Sequence, residues 1–231
     1  MIRGAIFDAD GTLLDSVSMW MHTGVRYLKK LGIRAEENLG EKMFAMSLSE
    51  SAKYLQENYG VLQNEREIQD GVNNEIRSFY ETEVCLKQGV LAFLRAFREH
   101  HIPMVLATAT DRSLIEAGLR RTGIYDYFDQ IFTCGEVGIG KDQPDIFLAA
   151  QAALGTELQE TWVFEDALHA VQTAKRAGFR VAGVYDVHSH EKQDILRAQS
   201  DFYLYEPYDF DSFYAQNLTH GSFMSAQRQK L

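Results

Sequence analysis

The chain has 231 residues, of which 45% are hydrophobic, 12% aromatic and 24% charged; this composition can bury a core and excludes a disordered polymer. Its 23 Lys and Arg against 33 Asp and Glu give a formal charge of −10. That charge repels nucleic acid and anionic membrane at long range, so a small anionic substrate must meet local positive charge. The opening residues MIRGAIFDADG reach an acidic pair after one short apolar run and lack the apolar region of a signal peptide. No stretch approaches the ~18 apolar residues of a membrane span. Cys85 and Cys134 lie far apart, in no metal-ligand spacing. They are expected as buried, reduced thiols in a cytoplasmic protein.

In chain order, Arg3–Phe7 is a predicted strand, after which about 90 residues pass without another, although a parallel crossover needs far fewer. The apolar spacing over Val17–Leu31, Leu39–Tyr59 and Glu65–Thr82 is that of amphipathic helices, which predicts an all-helical unit inserted at 16–82. A helix over Gln88–His101, with Leu and Phe on one face, leads back. Apolar runs at Met104–Ala107, Gln130–Thr133, Thr161–Phe164, Arg180–Val184 and Asp201–Leu204 then alternate with helical patterns at Ser113–Thr122, Asp145–Leu154 and Ala167–Ala177. Each of those three patterns is followed by a glycine suited to ending a helix, at 123, 155 and 178. The alternation predicts an α/β fold: a Rossmann-like parallel sheet core from 1–15 and 83–221, a helical domain at 16–82, and a polar tail at 222–231.

Four strand ends carry chemistry. Asp8 and Asp10 end the first strand before Gly11, at the sheet edge where α/β folds bind ligands. Two acids so close repel, which asks for a divalent cation or a shared proton. An EF-hand also begins Asp-x-Asp, but its fifth, sixth and twelfth positions are Thr12, Leu13 and Met19 here, and that reading fails. Thr108 ends the second strand in VLATAT, offering a hydroxyl and backbone N–H groups to an anion. Lys141 follows the third in GEVGIGKDQPDIF. The spacing from Gly135 to Gly140-Lys141 imitates a P-loop, but Asp142 stands where Ser or Thr must bind Mg²⁺, and Pro144 follows. Glu165 and Asp166 end the fourth strand and open a helix in TWVFEDALHA.

With DADGTLLDS, ATAT, GKDQPDIF and FEDALHAVQTAKRAG in this order, residues 1–205 resemble the haloacid dehalogenase-like hydrolase superfamily, in the branch of β-phosphoglucomutase and phosphoglycolate phosphatase. The resemblance implies a Rossmann-like core with a helical cap after the first motif. It makes Asp8 the nucleophile that forms an aspartyl-phosphate, and Asp10 the general acid and base. It assigns Mg²⁺ to Asp8, the Asp10 carbonyl and Asp166, with Glu165 as a further ligand, and the phosphoryl oxygens to Thr108, Ala109 and Lys141. A dianionic ester with three carboxylates carries about −5, which Mg²⁺ and Lys141 reduce to about −2.

The chain also departs from that family pattern. Ala167 stands where Ser is usual, Asp142 where Pro is usual, and Trp20 where the mutases carry His; Ala45 and Ser49 replace their cap cations. The expected activity is therefore phosphate release from a small phosphorylated metabolite, ahead of a phosphomutase or a catalytically silent binding protein; dehalogenation is disfavoured by Asp10 and the metal site. Trp20, Met46, Ser47 and Ser49 on the cap, and Arg112 at a helix start, are the expected substrate contacts.

Overall fold

The structure is a computed structural model and describes residues 1–44, 46 and 48–216. Ala45, Ser47 and the 222–231 tail fall outside the described residues. In chain order, β1 (Gly4–Phe7) and β2 (Leu14–Asp15) precede four helices, α1 (Val17–Lys30), α2 (Leu39–Phe44), α3 (Leu48–Tyr59) and α4 (Glu65–Thr82). Next come β3 (Cys85–Leu86), α5 (Val90–Glu99), β4 (Met104–Thr108), α6 (Arg112–Thr122), β5 (Gln130–Thr133), α7 (Cys134–Val137) and α8 (Asp145–Leu154). The chain continues through β6 (Thr161–Glu165), α9 (Leu168–Arg176), β7 (Arg180–Val184), α10 (Gln193–Gln199) and β8 (Phe202–Leu204). It divides into two compact units, one of Met1–Asp15 with the chain from Cys85 onward, the other of Ser16–Val84.

The first unit holds a six-stranded parallel sheet ordered β5-β4-β1-β6-β7-β8. Its central strands are apolar on both faces and buried throughout, as strands covered by crossover helices must be. Ile6, Val105, Val163 and Val181 pack with Ile146 and Phe147 of α8, Val171 and Ala174 of α9 and Leu196 of α10. The opposite face is aromatic. Phe7 stacks on Phe164 with centroids 4.3 Å apart, and Phe93 and Phe97 of α5 and Phe213 close over that pair. The predicted helices over 113–122 and 145–154 end on Gly123 and Gly155, both left-handed.

The Ser16–Val84 unit is built from α1 to α4. The longest, α4, starts with a capping box: the Asn64 side chain accepts from the Glu67 N–H at 3.0 Å, and the Glu67 carboxylate accepts from the Asn64 N–H at 2.9 Å. The single helix expected over Leu39–Tyr59 is instead two, α2 and α3. The apolar period alone does not reveal the bend at Met46. A second correction concerns the thiols: both cysteines are free, but Cys85 is exposed on the short β3 and Cys134 is half-buried. Among the described residues, no helix is long and apolar enough to cross a membrane.

Candidate active site

Parallel pairing brings the functional strand ends to one edge of the sheet. Phe7 is in register with Leu106 on one side and Phe164 on the other, so Asp8 follows directly beside Ala107 and Glu165. The Asp8 N–H donates to the Phe164 carbonyl at 2.9 Å and continues the ladder one residue past β1. Beyond Asp8 the chain turns at Gly11, whose φ of 79° is left-handed and unfavourable for a residue with a Cβ.

Asp8, Glu165 and Asp166 are all buried, and each offers a carboxylate oxygen within 4.8 Å of the others. Lys141 lies among them, also buried; its ammonium donates to Asp8 Oδ1 and, at 2.8 Å, to Glu165 Oε2. The second Glu165 oxygen accepts the Ala167 N–H at 3.2 Å. Thr12 donates to Asp166 Oδ1 at 3.1 Å. Burial first, then the Glu165 charge, raises the Asp8 carboxyl well above its ordinary range, against the opposing pull of Lys141. Burial, Glu165 and Asp186 push Asp166 up to about 8. Lys141 moves upward too: burial opposes its charge, but Asp8 and Glu165 more than offset that.

This charge pattern tests the fit of a metal. Among the described residues, three buried carboxylates lie around one ammonium, and an oxygen of each is within 4.8 Å of the others. Such a set suits a hard divalent cation that takes oxygen ligands.

Asp10 is half-buried, and Thr110 Oγ1 donates to its Oδ2 at 2.6 Å. Thr108 is buried at the end of β4, where its hydroxyl accepts the Thr110 N–H at 3.1 Å. Ala109 between them is exposed. Thr110, the last residue of ATAT, thus joins this group through its bonds to Asp10 and Thr108. Its signal was the alternation itself, which points residues 108 and 110 the same way.

The remaining candidates are placed differently. Arg112 has its guanidinium committed within the parallel-sheet unit: it donates to both oxygens of Glu136, to Glu116 at 3.3 Å and to the Ile131 carbonyl at 2.7 Å. The same contact with Arg112 draws Glu136 down to about 2. Arg112, expected at the substrate, thus also holds a local ion pair. In the helical unit, the Ser49 hydroxyl donates to Glu65 at 2.5 Å, and the Trp20 indole N–H donates to the Tyr80 hydroxyl at 3.1 Å. Trp20 and Met46 line a cavity of about 310 Å³ with Thr23, Met43, Asn73 and Ile76. Ser47 lies outside the described residues.

Comparison with known proteins agrees with this geometry. The family model for haloacid dehalogenase-like hydrolases matches residues 5–184. A phosphorylated carbohydrates phosphatase of Thermotoga maritima is 28% identical over 81% of this chain and 87% of its own length. Validoxylamine A 7′-phosphate phosphatase of Streptomyces hygroscopicus subsp. limoneus is 24% identical over 85% and 93%. Among solved structures, one from Thermotoga maritima with a provisional β-phosphoglucomutase name superposes with a TM-score of 0.79 at 26% identity, covering 88% of this chain and 94% of that one.

Proposed function

The chain belongs to the haloacid dehalogenase-like hydrolases, and from that premise we propose that it is a phosphatase that cleaves the monoester of a small phosphorylated metabolite through an aspartyl-phosphate on Asp8. The observation that carries this reading is the buried group of Asp8, Glu165 and Asp166 around the Lys141 ammonium, beside an Asp10 held by Thr110. The proposed metal is Mg²⁺, held by Asp8, Asp166 and the Asp10 carbonyl, with Glu165 against Lys141. When bound, it supplies the positive charge that lets an anionic ester approach an anionic nucleophile.

In the first half-reaction an Asp8 carboxylate oxygen bonds to phosphorus while the ester P–O bond breaks, and Asp10 gives its proton to the departing oxygen. In the second, Asp10 takes a proton from water as the water oxygen attacks phosphorus, releasing phosphate and restoring the Asp8 carboxylate. Thr110 fixes the Asp10 rotamer for both transfers. Lys141 and Thr108 hold the phosphoryl oxygens, and the Ala109 backbone lies beside them. The cavity of the helical unit is lined by no Lys or Arg among the described residues, whereas a mutase must grip a second phosphate.

The test is phosphate release from a panel of sugar, nucleoside and organic-acid phosphates with Mg²⁺. One or more esters should turn over, and Asp8→Asn should lower kcat on the order of 10⁴-fold or more. Undiminished turnover by Asp8→Asn overturns the assignment. Isomer conversion that needs a bisphosphate and outruns phosphate release moves it to a mutase.

A further inference from the structure

A second buried ammonium sits at the same edge of the sheet, outside the machinery just described. Lys87, one residue past β3, is 5% exposed. Its Nζ donates to the Gly11 carbonyl at 2.8 Å, the Tyr185 carbonyl at 2.7 Å and Asp186 Oδ2 at 3.0 Å, one acceptor for each of its three N–H bonds. Glu206 Oε1 lies 3.4 Å away. The backbone N–H of Lys87 also bonds to Leu13 O at 3.0 Å, so main chain and side chain both hold the turn after Asp10.

The next carbonyl of that turn is held as well. Thr12 O accepts the buried Tyr208 hydroxyl, and the Tyr208 N–H bonds to Gln88 O at 3.1 Å. The close approach is set at Gly89: with φ at 84°, a Cβ there would lie 2.5 Å from the Tyr208 nitrogen. Gly11 and Thr12, the two residues after Asp10, are thus gripped by side chains from nearly 80 and nearly 200 residues away along the chain.

Stability alone is a poor reason for this lysine, because replacing a buried ion pair by apolar side chains is often neutral or stabilising. The bond to Gly11 offers another. We propose that Lys87 is a positioning residue for phosphoryl transfer: by holding the Gly11 carbonyl it fixes the turn that carries Asp8 and Asp10, and its pairing with Asp186 is secondary to that role. The kinetic part of this inference rests on the phosphatase reading, whereas its structural part does not.

The experiment compares Lys87→Met, Asp186→Asn and the double variant with the wild type, reading thermal midpoint, kcat, KM and amide hydrogen exchange over residues 8–14. Lys87→Met should lower kcat about tenfold or more with little change in KM, since small misplacements of reacting groups are costly. Asp186→Asn should lose less. The double variant removes both charges; it should regain most of the thermal midpoint but not kcat. Exchange over 8–14 should quicken only where Lys87 is missing.

Wild-type kcat and exchange in Lys87→Met overturn the proposal, and so does recovery of kcat in the double variant, which would make Lys87 a mere counter-ion. If Lys87→Met does not fold, the double variant and Asp186→Asn make the same comparison. If the wild type turns over no ester, the phosphatase reading fails and the exchange data alone decide the role of Lys87.

Discussion

Lys141 and Lys87 are 6% and 5% exposed at the same edge of one sheet, yet they sit in opposite surroundings. Lys141 faces Asp8 and Glu165, with Asp166 adjoining, and these carboxylates outnumber it. Lys87 faces two carbonyls and Asp186, which fill its donors, while Glu206, 3.4 Å away, keeps part of its carboxylate in solvent. The first setting is short of positive charge, and its cost shows in the raised Asp8 and Asp166. The second is closed. A buried lysine with an excess of acids marks where a further cation and an anionic substrate are to be received, whereas one with matched acceptors marks where the scaffold is tied.

Four measurements can break or sharpen that contrast. The largest effect should come from Lys141→Met, which removes the one ammonium found among those three carboxylates in the described residues. Turnover should fall on the order of 10²- to 10³-fold, read as phosphate release. The metal-free protein should lose more thermal stability at pH 8 than at pH 5, because protonation relieves the carboxylates at the lower pH. An equal loss at both would argue against crowded charge.

Second is metal and pH. Asp166 rises from its ordinary 3.8 to about 8, so without metal the native state binds more protons than the unfolded state between those values. Stability must then fall as pH rises through that window. A cation must expel those protons, so Mg²⁺ should raise the melting temperature more at pH 8 than at pH 6. At a hundred times its Kd it should add about 2.7 kcal/mol. Calorimetry in buffers of different ionisation enthalpy should show proton release near pH 7; binding without release would contradict the shared-proton picture.

Third, Thr110→Val keeps the shape but removes the hydrogen bond to Asp10. A side-chain hydrogen bond is worth about 0.5–1.5 kcal/mol net, which predicts a loss in kcat of about two- to tenfold. The smallest effect belongs to Arg112→Ala. Its guanidinium is 41% exposed, and solvent screening leaves such pairs worth well under about 1 kcal/mol, so both melting temperature and kcat should stay near wild type. A large rise in KM instead would mark Arg112 as a substrate contact.

The strands were legible because buried parallel strands are continuous apolar runs: the sequence boundaries for β5 and β7 coincide with the structure, and those for β1, β4, β6 and β8 differ by one residue. The Asp8, Thr108 and Glu165-Asp166 positions could be read because each lies at the end of such a run, and Lys141 because its glycine-rich loop comes after one. What escaped has no period to betray it. Two-residue strands such as β2 and β3 are too short to alternate, and the break between α2 and α3 falls inside one amphipathic pattern. Lys87 reads as an isolated charge until its partner, 99 residues on, is brought beside it. Arg112 likewise reads as a lone cation at a helix start, and its pairing with Glu136, 24 residues on, is visible only in the fold.

The ribbon of β2 and β3 pairs Leu14 with Leu86 and Asp15 with Cys85. An antiparallel pair holds opposed Cα atoms about 5 Å apart, so the chain departs and returns through one narrow gate in the parallel-sheet unit. Any segment whose own two ends lie side by side can be spliced there without disturbing the strand order. The Ser16–Val84 unit is therefore a cassette in the topological sense, and a short turn from Asp15 to Cys85 should leave the six-stranded sheet able to form without it.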